Sequence, residues 1–544
     1  MLNKALLMIN TIKYLKFSQI LNRVKRRLIK LTPDLLVASS ISLPETKLSS
    51  FIQCQEKMSN ENEFKFLNVI SSVQKQEDWN SDNHEKLWLY NLHYFDDLNA
   101  LHSKKRTAWH INLIQRWISE NPFGFGNGWE PYPTSLRIVN WTKWFLLNNN
   151  VRQEWLDSLA IQTRSLSQNL EYHLLGNHLF TNAKALIFAG LFFKGEEANN
   201  WYRTGKDIVD KELIEQVLPD GGNFELSPMY HSIFLEDLLD LVNVHQAYSV
   251  PLPENFRKKI VKMIEWLKVM CHPDKEIAFF NDSAHGIAPS LEDLLSYAKR
   301  LNIECKDSRH RNITHLKESG YMRLDINDLV IIADLAKIGP DYIPGHGHAD
   351  TLSFEMSLFG KRMFVNSGIS TYEANNERHK QRGTLLHSTI TVDGENSSQV
   401  WGVFRVARRA RPYNIKSISK GLDIKFSACH DGYKRLKGKP VHCREWSVFN
   451  NSIEIEDRVT GNGKHKIRSV LPLHPEVKVS DAKENLVYLV VSGKKIKVHF
   501  EGEGVLRVEA SHYYPEFGLS VDNKCLIYDY NGIIPFKMTV RVSW

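Results

Sequence analysis

From about residue 105 to 305 the apolar positions return every three or four residues; after about residue 310 they return every second residue. The first spacing puts an apolar stripe along a helix, and the second gives a strand one buried and one wetted face. In "LPDGGNFELSPMYHSIFLEDLLDLVNV" a turn at Asp220, Gly221 and Gly222 precedes Ser227, read as an N-cap, and Pro228 at the first helical position. Beyond them Ile233, Phe234, Leu238, Leu241 and Val242 share one face. The same period recurs over 134–149, 152–173, 177–194, 199–217, 254–270 and 290–301, which predicts successive antiparallel helices rather than βαβ units.

Downstream, "KKIKVHFEG" alternates Ile496, Val498 and Phe500 with Lys495, Lys497 and His499. "KMTVRVSW" does the same with Met538, Val540, Val542 and Trp544. Further runs such as "DLVIIADL", "STITVDG", "SIEIEDRVTG" and "ENLVYLVVSG" are separated by Gly, Asn and Asp turns, as in a large antiparallel sandwich. The chain therefore reads as multidomain, α then β, with a ligand cleft expected where the two parts meet.

Composition narrows the picture only a little. The 544 residues are 42% apolar and 24% charged, which fits a globular protein and not a disordered one. The 13 Trp fill cores or offer flat faces to sugar rings. A net charge of +8 favours an acidic partner or polyanion. Zinc-finger spacing, RNP-type aromatic runs and a basic zipper region are all missing, which argues against nucleic acid. The six cysteines are scattered without a C-x-x-C pair and are expected as buried free thiols.

The first residues, "MLNKALLMINTIKYLKFSQILNRVKRRLIK", hold an apolar patch broken by Asn10, Thr11 and Lys13, and no A-x-A site follows, so no cleavable signal peptide is evident. Leu6, Ile9, Ile12, Tyr14 and Leu15 gather on one side, and Arg23, Lys25, Arg26, Arg27 and Lys30 follow. That arrangement admits membrane-surface contact, although a solvated basic helix is the simpler reading. No apolar run approaches the ~20 residues that would span a bilayer.

The densest chemistry lies in "PGHGHADTLSFEM". Its histidines, His346 and His348, project to the same side of an extended segment, and neutral imidazole is a common zinc ligand. His-x-His-x-Asp also opens the metal site of metallo-hydrolases, but Thr351 stands where a further His would follow Asp350. "SPMYHS" sets Tyr230 and His231 in the first turn of a helix, where the helix dipole favours negative charge and would lower a phenol's pKa. "LLGNHLFTNAKALIFAG" puts Asn177 and His178 at another helix start, and "RGTLLHSTITVDG" puts His387 at a strand entrance. Taken singly, each has an ordinary explanation in capping or packing.

In combination and in this order, together with "FVNSGISTY" and the upstream "GFGNGWEPYPTSLRIVNWTKW", these motifs resemble the heparinase II/III family of polysaccharide lyases over most of residues 85–410. The resemblance implies a helical/irregular extension over 1–84, an incomplete (α/α) toroid over 85–310, and an antiparallel β-sandwich over 311–544. It implies β-elimination on an acidic polysaccharide or oligosaccharide containing uronic acid. Asn177, with His178 beside it, would neutralise the uronate carboxylate, His346 would take the C5 proton, and Tyr230 would protonate the leaving O4. In some relatives the Tyr serves as base as well, so the division between Tyr230 and His346 stays open.

Trp129, Glu130, Tyr132, Glu225, His231, Arg382 and Arg408 are further candidates for the sugar cleft, and Arg378, Arg405, Arg409 and Arg411 lie nearby in sequence. In the family a structural zinc or other divalent ion is held by positions that correspond to His348, Asn366 and His387. Here Asn366 stands where an Asp is usual, and neutral Asn is the poorer zinc ligand. No organic cofactor is implied. Two other readings stay open: a weakly active or non-cleaving handler of bacterial surface glycans, and a metal-dependent hydrolase. The family is expected in the periplasm or cell envelope, whereas the missing signal peptide leaves the cytoplasm open.

Overall fold

The computed structural model describes residues 2–28, 31–148, 151–305, 312–420 and 423–544. The boundary expected at 310–311 lies outside these residues, as does Lys30. Eleven helices come first: α1 (Leu2–Ile12), α2 (Phe17–Leu28), α3 (Lys86–Tyr94), α4 (Thr107–Glu120), α5 (Pro131–Leu147), α6 (Gln153–Gln168), α7 (Gly176–Phe192), α8 (Glu196–Gln216), α9 (Pro228–Ala247), α10 (Glu254–Val269) and α11 (Leu291–Arg300). The extension is not only helical or irregular. Strands Met58–Asn60, Glu63–Phe66 and Val69–Ser72 form a small antiparallel sheet whose Phe66 packs against Trp88 of α3, ring centroids 5.3 Å apart.

The helices form two layers because two kinds of pattern alternate. In α7 and α9 nearly every side is buried, with Phe180, Leu186 and Phe188 on one and Leu235, Leu238 and Leu241 on the other, as befits inner helices. α8 and α10 carry a single apolar stripe and lie outside them, against α7 and α9 respectively. The α7–α8 approach is close enough that a Cβ at Gly205 would meet the Ala183 carbonyl oxygen at 2.7 Å. This is the incomplete toroid.

From Ile313 onward strands dominate. Ile313–Leu316, Tyr321–Ile326, Leu329–Asp334, Phe354–Leu358 and Lys361–Phe364 form a five-stranded antiparallel sheet in sequential order. An eight-stranded sheet runs Pro412–Lys420, Asp423–His430, Val441–Phe449, Ser452–Thr460, Phe536–Ser543, Lys494–Glu501, Leu486–Val491, Lys478–Lys483. A four-stranded sheet, Val505–Tyr513, Val521–Ile533, Lys464–Pro472 and Ile390–Val392, completes the sandwich. One core, including Phe354, Met356, Trp446, Leu471, Leu526 and Val540, lies among the three sheets. The short α12 (Asn376–Gln381) sits in the connection that follows the five-stranded sheet.

The expectation of free thiols fails for one pair. Cys429 and Cys443 face each other in register on adjacent strands and form a disulfide, which a sequence separation of 14 does not announce. Cys54, Cys271, Cys305 and Cys525 are free, but only Cys271 and Cys525 are buried as expected, with Cys54 and Cys305 half-buried.

The two halves are joined by their own apolar cluster. Leu226, Trp266, Met270 and Phe280 of the helical half pack on Leu316, Tyr321, Val330 and Ile332 of the five-stranded sheet. Polar bonds fix its orientation: Tyr321 Oη donates to the Leu226 carbonyl at 2.6 Å, and Trp266 Nε1 donates to Ser319 Oγ at 2.8 Å. The cleft opens beside this seam.

Candidate active site

A cleft of about 1420 Å³ is walled by both halves and lined, among others, by Tyr132, Asn177, His178, Glu225, Tyr230 and His346. The first five come from helix starts and loops of the toroid, and His346 comes from the loop between strands Leu329–Asp334 and Phe354–Leu358. Catalytic side chains on loops held by rigid elements are the usual arrangement.

His346 is held by a carboxylate that no motif announced. Its Nδ1 lies 2.9 Å from Oδ2 of Asp282, a residue of the segment between α10 and α11. The other oxygen, Oδ1, is 2.8 Å from Nε2 of His348, and Arg378 of α12 spans both oxygens, with Nη2 at 2.7 Å from Oδ2. Burial would raise the Asp282 carboxyl, but Arg378 and the two imidazole bonds hold it well below the usual carboxylate range. An ionised Asp282 accepts Nδ1–H of His346 and turns Nε2 toward the cleft. Nε2 is 3.5 Å from Oε2 of Glu225, on the cleft side.

Tyr230 reaches the same point from the helices. Ser227 caps α9, its Oγ accepting from the Tyr230 amide at 3.1 Å, and Pro228 occupies the first turn, as the sequence indicates. The phenol ring stacks on His346 with centroids 3.8 Å apart, and its hydroxyl is 3.1 Å from that of Tyr372. The predicted lowering of its pKa is not found. Burial, with Tyr372, Tyr132 and Asp282 nearby, pushes the phenol well above its ordinary value. A phenol so placed stays protonated.

Asn177 sits at the start of α7, where Leu175 and Gly176 adopt left-handed backbone at φ 66° and 57°. The positive φ at 176 suits glycine, and a Cβ there would press on the tip of the Ile343 side chain at 2.7 Å. The Asn177 amide N–H donates to Glu225 Oε1 at 3.3 Å, and its carboxamide has no hydrogen-bond partner among the described residues. The His178 ring lies tilted against Tyr132, centroids 4.6 Å apart, and its Nδ1 lies 3.2 Å from Glu171 Oε2. Burial lowers its pKa, but Glu171 more than compensates, so the imidazole is raised toward the charged form. An imidazole raised toward its charged form and a free carboxamide thus stand side by side in the wall of the cleft.

Behind His346, away from the cleft, His348, Asp350 and His387 bring ligand atoms within 4.8 Å of one another, all buried. Among the described residues His348 Nδ1 and both ring nitrogens of His387 have no hydrogen-bond partner, and neither does Asn366 Nδ2. Burial pushes the His348 imidazole down to about 4 despite Asp282, and drives His387 well below its usual value. Neutral imidazoles with unused lone pairs beside a carboxylate fit a metal ion. Asn366 Oδ1 accepts from the Ser388 amide at 3.3 Å, so Asp350 offers the carboxylate that position 366 lacks.

Several expected cleft residues lie elsewhere. His231 is fully buried, stacked on Trp266, with Nδ1 accepting from the Asn223 amide and Nε2 donating to the Met263 carbonyl. Trp129 is buried between Trp117 and Phe123 and donates to the Asn121 carbonyl. Glu130 is occupied by Lys86 and Tyr90. Arg382 is buried and gives its donors to the carbonyls of Gly347 and Val403, so it holds the His346–His348 loop instead of meeting substrate. Arg408 is exposed, outside the residues that line the cleft. Arg378 belongs to Asp282, and Arg409 and Arg411 to Asp341; of the arginine run, Arg405 lines the cleft.

Asp282 and Tyr372 are the residues that pattern reasoning missed. Tyr372 ends the quoted "FVNSGISTY", so its motif was visible but not its role. Asp282 lies in an irregular segment without periodicity, and only the buried histidine–arginine network reveals it.

Comparison with known proteins agrees with this architecture. The profile described as Heparinase II/III N-terminus matches residues 13–301, and that described as Heparinase II/III-like, C-terminal matches residues 308–544. A heparin-sulfate lyase of Bacteroides stercoris is 24% identical over 392 residues, covering 66% of this chain and 56% of that relative. A heparin-sulfate lyase of Pedobacter heparinus is 26% identical over 319 residues, 52% of this chain and 47% of the relative. The chain thus spans about half the length of these curated relatives. The crystal structure of heparinase III superposes with a TM-score of 0.69 at 19% identity, over 96% of this chain and 88% of that one, which establishes the same fold. With the two profiles accounting for nearly all of its length, the chain belongs to the heparinase II/III family.

Proposed function

We propose that the protein is a polysaccharide lyase that cleaves a uronic-acid-containing acidic glycan by β-elimination. The observation that carries this reading is the stacked pair in the cleft: Tyr230, a phenol kept protonated by burial, lies against His346, whose Nδ1 is engaged by Asp282. A donor and an acceptor of protons therefore meet one small region of substrate.

The uronate carboxylate would sit against the Asn177 carboxamide and His178, whose hydrogen bonds and charge stabilise the negative charge that develops when C5 loses its proton. Nε2 of His346 takes that proton. The C5–H electrons form the C4–C5 double bond as the C4–O4 bond breaks, and Tyr230 Oη supplies the proton to O4. Proton return from His346 to the Tyr230 phenolate, directly or through water, resets the pair. Arg405 and His178 on the cleft wall can donate to an acidic group, while carboxylates such as Glu225, Asp237 and Glu276 also line it. The heparin-sulfate lyases among its relatives act on glycans of this class, which supports the choice of substrate.

His348, Asp350 and His387, with Asn366 adjacent, would hold a divalent ion such as zinc. When bound, it supplies a fixed positive charge that secures the loop behind His346. Incubation with a panel of uronate glycans tests the proposal: the expected product absorbs in the ultraviolet through its new double bond. Saturated hydrolysis products, or no cleavage of any member, would sink it.

A further inference from the structure

Helix α2 is built inside out. Its polar side faces the protein: Gln19 is buried and its Nε2 donates to the Leu174 and Tyr342 carbonyls, while Arg26 Nη1 lies 2.7 Å from His173 Nε2. At 100° per residue, Phe17, Ile20, Leu21, Val24 and Leu28 fall together on the opposite side. All five are open to solvent, between 40% and 78% exposed. α1 adds Leu6 and Ile9 to the exposed apolar surface, while its Thr11 is bonded to Trp401 and Met8 and Ile12 line the cleft. A surface helix of a globular protein turns its apolar stripe inward; α2 turns it out.

The charge around the stripe identifies what it fits. Lys25 and Arg27 flank it on either side of the helix. Residues 1–30 hold eight Lys and Arg and no Asp or Glu. The whole chain has 70 basic and 62 acidic residues, so the remainder is balanced at 62 of each and the entire net charge of +8 resides in this segment. A second copy of the same hairpin would bring like charges together. An anionic bilayer matches both features, with apolar side chains entering the acyl boundary and the flanking cations among the headgroups. No helix of the described residues is long and apolar enough to cross a membrane, so contact would be in the plane of the surface.

We propose that the α1–α2 hairpin docks the protein on an anionic lipid surface through Phe17, Ile20, Leu21, Val24 and Leu28. The proposal stands whether or not the cleft is that of a lyase. It is tested by co-sedimenting the full chain with vesicles of phosphatidylcholine alone or with roughly 30% phosphatidylglycerol. Wild-type protein should pellet with the anionic vesicles, and at least about tenfold less with the neutral ones. A Phe17→Ser/Leu21→Ser/Val24→Ser/Leu28→Ser variant should keep its melting temperature and lose binding by about tenfold or more. A Lys25→Glu/Arg27→Glu variant should lose the preference for anionic lipid. Failure of the wild type to bind either vesicle overturns the proposal, as does undiminished binding by the serine variant. Sedimentation velocity that shows a wild-type dimer and a monomeric serine variant, without vesicle binding, assigns the stripe to a second copy instead.

Discussion

Asp282 uses two oxygens to satisfy two imidazoles and one guanidinium in a region closed to water. An amide in its place could neither neutralise Arg378 nor accept from both histidines. Asp282→Asn should lower kcat by ~10²–10⁴, because His346 is left without its tautomer-fixing partner. It should also cost roughly 3–5 kcal/mol of stability, the penalty for a buried charge without its mate; steady-state kinetics and denaturant melts read the two effects. Tyr230→Phe should reduce kcat by about 10²–10⁴ with KM little changed, since in the proposed elimination the hydroxyl acts on the leaving group. For the ion, His348→Ala and His387→Ala should each abolish bound divalent metal measured by elemental analysis. Asp350→Asn should do so as well, while Asn366→Ala retains metal. Residue types were thus partly legible: Asn177, Tyr230 and His346 converge as the motifs suggest, but nothing in sequence separates the buried Arg378 and Arg382 from the cleft-lining Arg405.

The elements that aim these side chains are short and specific. Ser227 caps α9 and, through the same hydroxyl, donates to the Asp282 carbonyl at 2.6 Å, so one side chain ties the start of the Tyr230 helix to the carboxylate segment. Ser227→Ala should cost about 1–2 kcal/mol and also reduce kcat. Ser290→Ala, which removes the matching cap of α11 from Asp293, should cost about 1 kcal/mol with no change in kcat. At this scale the sequence was most readable, because Pro228, the 3.6-residue period and the alternation over 494–501 and 536–543 each follow from local geometry. Left-handed backbone at Leu175 and Leu226, φ 66° and 61°, was not readable, since leucine does not signal it. Those two residues lie just ahead of Asn177 and Tyr230, where tertiary packing overrides local preference. The Cys429–Cys443 pair was hidden for a similar reason: register between strands, not spacing along the chain, puts the sulfurs together.

Across the molecule, buried histidines set the acid limit. Burial pushes His93 and His231 down to about 3 each, so the unfolded chain, with ordinary imidazoles near ~6.5, binds protons first as pH falls. Their contribution is complete above ~6.5 and is lost toward 3, at ~1.4 kcal/mol per pH unit for each imidazole. Melting temperature should fall between pH 7 and 5, and His93→Gln should flatten that dependence. The two-part architecture was plain from the change of period, whereas the inward-facing polar side of α2 had to be seen. That hairpin also supplies Met8, Ile12, Gln19 and Arg23 to the cleft wall, so a docked molecule would hold its cleft mouth beside the lipid.

The carboxylate of Asp282 belongs to the helical half and its guanidinium partner, Arg378, to the sandwich half. A chimera that joins residues 1–305 to the sandwich of a relative would therefore leave the Asp282 carboxylate buried without a partner unless that relative brings an arginine and two histidines to the places of Arg378, His346 and His348.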